Sequence, residues 1–358
     1  MILEKPIRVL VVDDSAFARK VLRETLTLSP ALEVVGVARD DLEALEKIAE
    51  LKPDVVTLDL IMPNLDGLGV LRALPTVGAP RVVIVSISDG DSALGIEALQ
   101  IGAVELVQKP TALATDRLYE LSAELVAKVV AAGRSRPRAV SQIAAGAPAA
   151  ANNSPGVAGG ERHVLAAATS SVELIVIGTS TGGPQALTRL ISALPAGLPC
   201  PVAVALHIPA GYTETLAKRL DDASAVQVFE ASEGAPLLPG TVAIARGGMN
   251  LRVRGVPGAL TGHLDRTPTG SPFSPSVDAL FESAAATVGS RVLGVVLTGM
   301  GNDGTEGARA LIGRGARILT EAESSCVVYG MPRAVVEAGL STGTAPLEQM
   351  VDKILDSL

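Results

Sequence analysis

Short apolar runs alternate with amphipathic stretches along the chain, and the alternation is interrupted once. I-R-V-L-V-V, L-E-V-V-G-V-A, D-V-V-T-L-D, R-V-V-I-V-S and A-V-E-L-V are short, Val-rich runs, so each predicts a strand of a sheet. Between them stand stretches such as D-L-E-A-L-E-K-I-A-E-L, whose apolar positions recur at helical spacing. Strand and helix repeated in this order predict a five-stranded doubly wound α/β unit. The pattern resumes later with V-E-L-I-V-I, P-V-A-V-A-L, T-V-A-I-A, R-V-L-G-V-V-L and A-R-I-L-T, which predict a second, larger, Rossmann-like α/β domain. The interruption, from Arg134 to Ser170, consists of small residues punctuated by Pro and Gly and has no sustained apolar period. The expected organisation is a first domain over 1–133, a flexible linker over 134–170 and a second domain over 171–358.

Composition narrows the functions open to such a chain. Its 358 residues exceed what one core usually serves, in keeping with two domains. No run of uncharged apolar residues is long enough to cross a bilayer, and the first apolar run ends in two aspartates where a signal peptide would carry small residues. No membrane insertion and a cytoplasmic location are therefore expected. Cys200 and Cys326, the only cysteines, lie far apart without metal-ligand spacing, which excludes structural zinc and a disulfide scaffold. A net charge of -8 with 2% aromatic residues supplies neither a phosphate-tracking surface nor stacking platforms, so no nucleic-acid partner is expected.

In open parallel sheets ligands bind beyond the carboxyl ends of the strands. In the first domain those ends read Asp13 and Asp14, then Asp59, Ser86, and Lys109 followed by Pro110. Three carboxylates at one edge repel one another unless a hard cation sits among them, and such a donor set suits Mg²⁺. A phosphoryl group on a nucleophilic Asp59 would then be held by the metal, the Lys109 ammonium and the Ser86 hydroxyl. The segments V-V-D-D-S, D-V-V-T-L-D-L-I-M-P-N-L-D-G, I-V-S and Q-K-P resemble the receiver domain of two-component response regulators over roughly residues 1–130. That resemblance implies Asp59 as phosphoacceptor, Asp13 and Asp14 as metal ligands, Ser86 as the switch hydroxyl and Lys109 as the phosphate-contacting cation. Leu106 stands where receivers often carry the Phe or Tyr of the switch.

In the second domain V-E-L-I-V-I runs into G-T-S-T-G-G-P-Q-A-L, with Gly178, Ser180 and Gly182 forming a G-x-S-x-G pattern and Pro184 opening a helix. Such a turn either presents a serine nucleophile above the sheet or binds an anion at a helix N-terminus. A nucleophilic serine needs a base. Of three histidines, His163 lies in the linker, His263 is expected in a loop, and His207 closes the run P-V-A-V-A-L at the edge where Ser180 would stand. His207 is thus the candidate base, and Asp303, after the strand R-V-L-G-V-V-L, is the candidate carboxylate that orients it. The same stretch admits a rival reading. Gly299, Gly301 and Gly304 make a G-x-G-x-x-G fingerprint, with Glu321 after the next strand, as in dinucleotide-binding proteins. Asp303 would then place a carboxylate where a pyrophosphate must bind, which counts against it.

The segments G-T-S-T-G-G-P-Q-A-L, H-I-P-A-G-Y-T, S-P-S-V-D-A-L-F-E-S-A-A, G-V-V-L-T-G-M-G-N-D-G and C-V-V-Y-G-M-P resemble the catalytic domain of the chemotaxis protein-glutamate methylesterases, the CheB family. The resemblance implies Ser180 as nucleophile, His207 as general base, Asp303 as its orienting acid and the Met300 backbone amide as an oxyanion donor. It implies hydrolysis of glutamyl methyl esters on methyl-accepting chemotaxis receptors, glutamine deamidation by the same route, no cofactor for either reaction, and phosphorylation by a chemotaxis histidine kinase. A monomer is expected. Leu206 and Ile208 beside His207, Thr179 beside Ser180, R-G-G-M-N-L at 246–251 and A-E-S-S-C before V-V-Y-G-M-P depart from the usual family residues. The competing expectations are a phospho-dependent binding module without catalysis, which the intact Ser180, His207 and Asp303 set disfavours, and a transcriptional output, for which the chain has no helix-turn-helix pattern.

Overall fold

Apolar runs ending in polar residues become strands whose carboxyl ends carry the chemistry, and both domains are built this way. A computed structural model describes residues 5–62, 67–75, 78–86, 92–109, 115–135, 172–267 and 273–358. Pro110, His163, residues 136–170 and Ser171 lie outside the described residues. The first domain runs β1 (Ile7–Val12), α1 (Ala16–Thr27), β2 (Leu32–Ala38), α2 (Asp41–Leu51), β3 (Val55–Leu58), α3 (Gly67–Ala73), β4 (Arg81–Ser86), α4 (Ser92–Ile101), β5 (Glu105–Gln108) and α5 (Thr115–Arg134). Its parallel strands lie in the order β2-β1-β3-β4-β5, so the order reverses between β1 and β3, where Asp13 and Asp59 emerge. Local sequence sets the helix starts. Asp40 accepts from the Glu43 amide while the Glu43 carboxylate takes the Arg39 amide, a reciprocal cap that opens α2. Helix α5 continues through Arg134, the first residue of the expected linker.

The second domain begins with β6 (Leu174–Thr179), α6 (Gly183–Ser192), β7 (Val202–Leu206), α7 (Thr213–Asp222), β8 (Gln227–Glu230), β9 (Pro236–Leu237) and β10 (Thr241–Ile244). It continues with β11 (Asn250–Val256), β12 (Ala259–Asp265), α8 (Val277–Thr287), β13 (Val292–Val296), α9 (Thr305–Gly313), β14 (Arg317–Glu321), α10 (Met331–Glu337), β15 (Gly343–Ala345) and α11 (Leu347–Leu355). Seven parallel strands in the order β15-β14-β13-β6-β7-β10-β8 form the main sheet, and β11-β12-β9 form a small antiparallel sheet beside it. The direction of winding reverses at β6, which has β13 on one side and β7 on the other. This switch point is where a doubly wound sheet opens a crevice. The expected loop around His263 is instead strand β12. His263 pairs with Arg252 across the β11–β12 hairpin, and V-P-G-A at 256–259 supplies the turn, with Gly258 at φ 81.

The two domains touch through α4 and β5 of the first and α6 and α7 of the second. Gln185 donates to the Leu99 and Ala103 carbonyls, Arg219 to Gln100 and the Ala93 carbonyl, and the Ser92 and Thr215 hydroxyls bond to each other at 3.0 Å. Tyr212 is only 1% exposed, and its ring lies against Gly95 of the first domain. A Cβ on Gly95 would stand 2.6 Å from that ring, so only glycine allows the approach.

Candidate active site

The turn that carries Ser180 is shaped by glycine. Gly182 has φ 79 and caps α6, and Pro184 sits in the first turn, where its missing N–H costs nothing. The Ser180 amide donates to the Thr298 carbonyl at 3.1 Å, and the β13–α9 loop passes so close that a Cβ on Gly299 would fall 2.9 Å from the Ser180 Cβ. Met300 follows directly on that approach.

His207 comes at the end of β7, whose last residue, Leu206, pairs with Thr179 of β6. Its own amide donates to the Thr179 carbonyl at 3.1 Å. Asp303 comes from the loop after β13, so Ser180, His207 and Asp303 share the carboxyl edge of three neighbouring strands, and all are buried. His207 Nε2 bonds to Asp303 Oδ2 at 2.8 Å, while His207 Nδ1 is buried and has no hydrogen-bond partner among the described residues. With a carboxylate on Nε2 the neutral ring carries its proton there, and Nδ1 holds the free lone pair.

Asp303 is fixed by the start of α8. Its Oδ2 accepts from the Val277 amide at 2.7 Å, and its Oδ1 accepts from the Ser276 hydroxyl at 3.1 Å and the Asp278 amide at 3.3 Å. Burial pushes the Asp303 carboxyl up, but the His207 bond and charge and the Val277 and Asp278 amides outweigh it and bring it down to about 2. Asp278 does the converse for α9. Its Oδ1 accepts from the Gly304 and Gly307 amides at 2.9 and 2.7 Å, closing the helix start that a pyrophosphate would need. Glu321 is wholly buried, one oxygen taken by the Thr298 amide at 2.8 Å and the other by the Ser325 hydroxyl at 2.9 Å. Both features of the dinucleotide fingerprint are thus committed internally, and that reading is abandoned.

The Asp278 carboxyl is pushed up to about 7, by burial first and by the neighbouring Asp303 charge, against the Gly307 and Gly304 amides. The folded protein then holds this proton more tightly than the unfolded chain, so stability falls as pH rises from about 4 through about 7. Asp278→Asn keeps the Oδ1 acceptor and removes the charge. Its melting temperature is expected to exceed the parent's at pH 8 and to converge with it near pH 5, by roughly 2–4 °C for each kcal/mol recovered. Calorimetry at the two pH values reads this, and an equal difference at both would contradict it.

At the first domain's edge Lys109 Nζ lies 2.8 Å from Asp13 Oδ2 and 2.6 Å from Asp59 Oδ2. Burial, opposed by Lys109 and reinforced by the Asp13 charge, pushes the Asp59 carboxyl up. Oxygens of Asp13, Asp14 and Asp59 lie within 4.8 Å of one another. Lys109 leaves this edge doubly negative, and hard oxygen donors with that charge fit a divalent cation such as Mg²⁺. Ser86 is buried at the end of β4, and the Lys109 amide donates to its carbonyl. Leu106 is buried in the core beside Gly95.

Several contacts at the site have no local sign in the sequence. Glu105 Oε2 accepts from the Thr181 hydroxyl at 2.6 Å, tying β5 of the first domain to the residue after Ser180. Lys128, also buried, supports Glu105 at 3.4 Å. Phe273 stacks on His207, with centroids 4.1 Å apart and planes 18° apart. S-P-S-V-D marks the start of α8, where Ser276 caps the helix by accepting from the Ala279 amide at 3.2 Å, but the Asp278 contacts to Gly304 and Gly307 belong to another helix and have no local sign.

Fold and sites together define a response-regulator chain: an acidic strand-end cluster with a lysine on one sheet and a Ser-His-Asp edge on the next. The family model of the response regulator receiver domain matches residues 9–121, and that of the CheB methylesterase matches residues 175–354. A protein-glutamate methylesterase/protein-glutamine glutaminase of Myxococcus xanthus is 58% identical over 352 residues, 98% of each chain. Its namesake in Symbiobacterium thermophilum is 43% identical over 98% of this chain and 97% of its own. The crystal structure of the Thermotoga maritima CheB methylesterase catalytic domain matches at 37% identity and TM-score 0.51, covering 52% of this chain and 99% of that one. The chain belongs to the CheB methylesterase family. Among the described residues no helix is long and apolar enough to cross a membrane.

Proposed function

We propose that the protein is a phosphorylation-activated methylesterase of the cytoplasm that removes methyl groups from glutamyl esters of chemotaxis receptors and deamidates receptor glutamines. The observation that carries this reading is the His207–Asp303 pair at 2.8 Å on the same sheet edge as the Ser180 turn. His207 Nδ1 takes the Ser180 proton as Oγ attacks the ester carbonyl, and Asp303 holds the Nε2–H and stabilises the imidazolium. Backbone amides, that of Met300 among them, meet the oxyanion. The imidazolium proton goes to the departing methoxide, and methanol leaves. Water, deprotonated by His207, then cleaves the acyl-Ser180 ester to give glutamate and the free serine. A glutamine amide follows the same course and releases ammonia.

Asp59 is the phosphoacceptor for a chemotaxis histidine kinase, and Lys109 and Ser86 are the groups that contact the phosphoryl group in this reading, supported by the Lys109 contact to Asp59 at 2.6 Å. Mg²⁺, held by Asp13, Asp14 and Asp59, would supply charge neutralisation at that edge when bound. Phosphorylation adds about -1.5 to -2 charges and would draw Lys109 and Ser86 toward the new group. Those residues lie at the ends of β4 and β5, and the Glu105–Thr181 bond leaves from β5. Docking of the first domain on α6 and α7 therefore restrains the Ser180 turn until Asp59 is modified. The test is methanol release from methylated receptor membranes by the full chain, with and without a small-molecule phosphodonor. Release unchanged by the donor would refute the gating, and no release under either condition would refute the esterase.

The same assay separates a cover from a co-activator. A fragment beginning at Ser171 is expected to outpace the unphosphorylated full chain several-fold. Arg219→Ala, which removes contacts to Ala93, Gln100 and Glu97, is expected to raise the unphosphorylated rate by about twofold to fivefold, as fits the loss of a few partly exposed polar contacts. A fragment slower than the parent would mean that the first domain helps to build the site.

A further inference from the structure

The Asp303 bond fixes one nitrogen of His207 and leaves the ring free to rock about the Nε2···Oδ2 line. Torsions of this kind are broad and roughly two-fold, so one hydrogen bond does not by itself define the plane of an imidazole. The described residues give His207 Nδ1 no partner, and the ring's face instead meets Phe273 at 4.1 Å and 18°. The chain has only four Phe and three Tyr, so an aromatic ring over the catalytic base is not what composition would place there by default.

The placement of Phe273 is built. Three residues on, Ser276 donates to Asp303 Oδ1, and the Val277 amide donates to Asp303 Oδ2. Asn250 Oδ1, on β11, accepts from the Ser276 amide at 2.9 Å and the Ser274 hydroxyl at 3.4 Å. One short segment, 273–277, therefore carries both the ring stacked on the imidazole and the groups that hold the carboxylate bonded to its edge. Plane and edge of His207 are set by the same stretch of chain.

We propose that Phe273 is a positioning residue for His207: it fixes the imidazole plane so that Nδ1 can meet the Ser180 hydroxyl in the reaction, and its π face stabilises the imidazolium formed as the serine attacks. An offset, near-parallel ring resists tilting, and the negative face of an aromatic ring attracts a cation stacked on it. A phenyl ring carries no donor or acceptor, so it cannot compete for the Nδ1 lone pair. The inference rests on the Ser180, His207 and Asp303 assignment above.

The test uses the full chain with phosphodonor and methylated receptor membranes. Phe273→Leu keeps apolar bulk without a π face, whereas Phe273→Tyr keeps the face. Phe273→Leu is expected to lower kcat about tenfold, with KM for the membranes within about twofold and the melting temperature unchanged. Phe273→Tyr should keep at least about half the parent kcat. The rate at which a fluorophosphonate labels Ser180 should fall with kcat in the Leu variant, since that reaction needs the base but no receptor. Parental kcat in Phe273→Leu, a loss confined to KM, or an equal loss in the Leu and Tyr variants would each overturn the proposal. Ser180→Ala separates the two levels: if it stays active the triad assignment falls, whereas an inactive Ser180→Ala beside a fully active Phe273→Leu removes Phe273 alone.

Discussion

Ser180→Ala is expected to stop methanol release, a loss of about 10⁴-fold or more, while Asp59 still accepts phosphate at the parental rate. In the proposed reaction Ser180 Oγ is the one atom of the turn that becomes bonded to substrate, and alanine supplies no replacement. The turn itself should survive, because its shape depends on Gly182, Pro184 and the Ser180 amide bond to Thr298, none of which needs the side chain. Asp59, Asp13 and Lys109 stand on the other sheet, so the phosphorylation rate shows that the first domain is intact, and a thermal melt of the variant checks the second. Methanol release measured beside phosphate incorporation gives both numbers from one preparation. Ester hydrolysis within tenfold of the parent would remove Ser180 from its role.

Asp303→Asn should fold and lose about 10³–10⁴ in kcat. Asp303 accepts from His207 Nε2, from the Ser276 hydroxyl and from the Val277 and Asp278 amides, so all its partners are donors. An asparagine must aim its NH₂ at one of them. If that group faces His207 the ring shifts its proton to Nδ1, and the base then has no lone pair for Ser180. The carboxyl is held at about 2, so it stays ionised throughout the neutral range and any loss of rate toward mild acid should not come from Asp303. Steady-state kinetics from pH 5 to 9 would check both points, and a kcat within tenfold of the parent would count against the triad.

The parts of this molecule that could be read from the sequence were those that local pattern determines. I-R-V-L-V-V became β1 without a residue's shift, because a central parallel strand is a nearly continuous apolar run bounded by polar residues, and L-E-V-V-G-V-A became β2, an edge strand with Glu33 exposed. The same boundaries located Asp13, Asp59, Ser180 and His207, since a doubly wound sheet puts strand ends where ligands bind. The β11–β12 hairpin has no continuous apolar run: in L-R-V-R-G-V and A-L-T-G-H-L-D apolar residues alternate with polar ones, the period of an antiparallel pair with one wet face, and that alternation is the signal that marks it as strand. The contacts of Phe273, Asp278 and Glu105 had no such signal. Each acts on a partner distant in sequence: Phe273 on His207, Asp278 on the start of α9, Glu105 on Thr181. A single phenylalanine or glutamate gives no local sign of such a partner.

Helices α8 and α9 each hold a carboxylate from the other's side, Asp303 at the start of α8 and Asp278 at the start of α9. The two bonds close a loop of mutual dependence, so neither helix start can open while the other stays formed. The carboxylate bonded to His207 is thus part of a single cooperative unit rather than a side chain on a loop that frays by itself. Heat or denaturant should therefore remove catalytic competence in one step with the melting of this helix pair, and the population of folded molecules with a misaligned His207 should stay small up to that point.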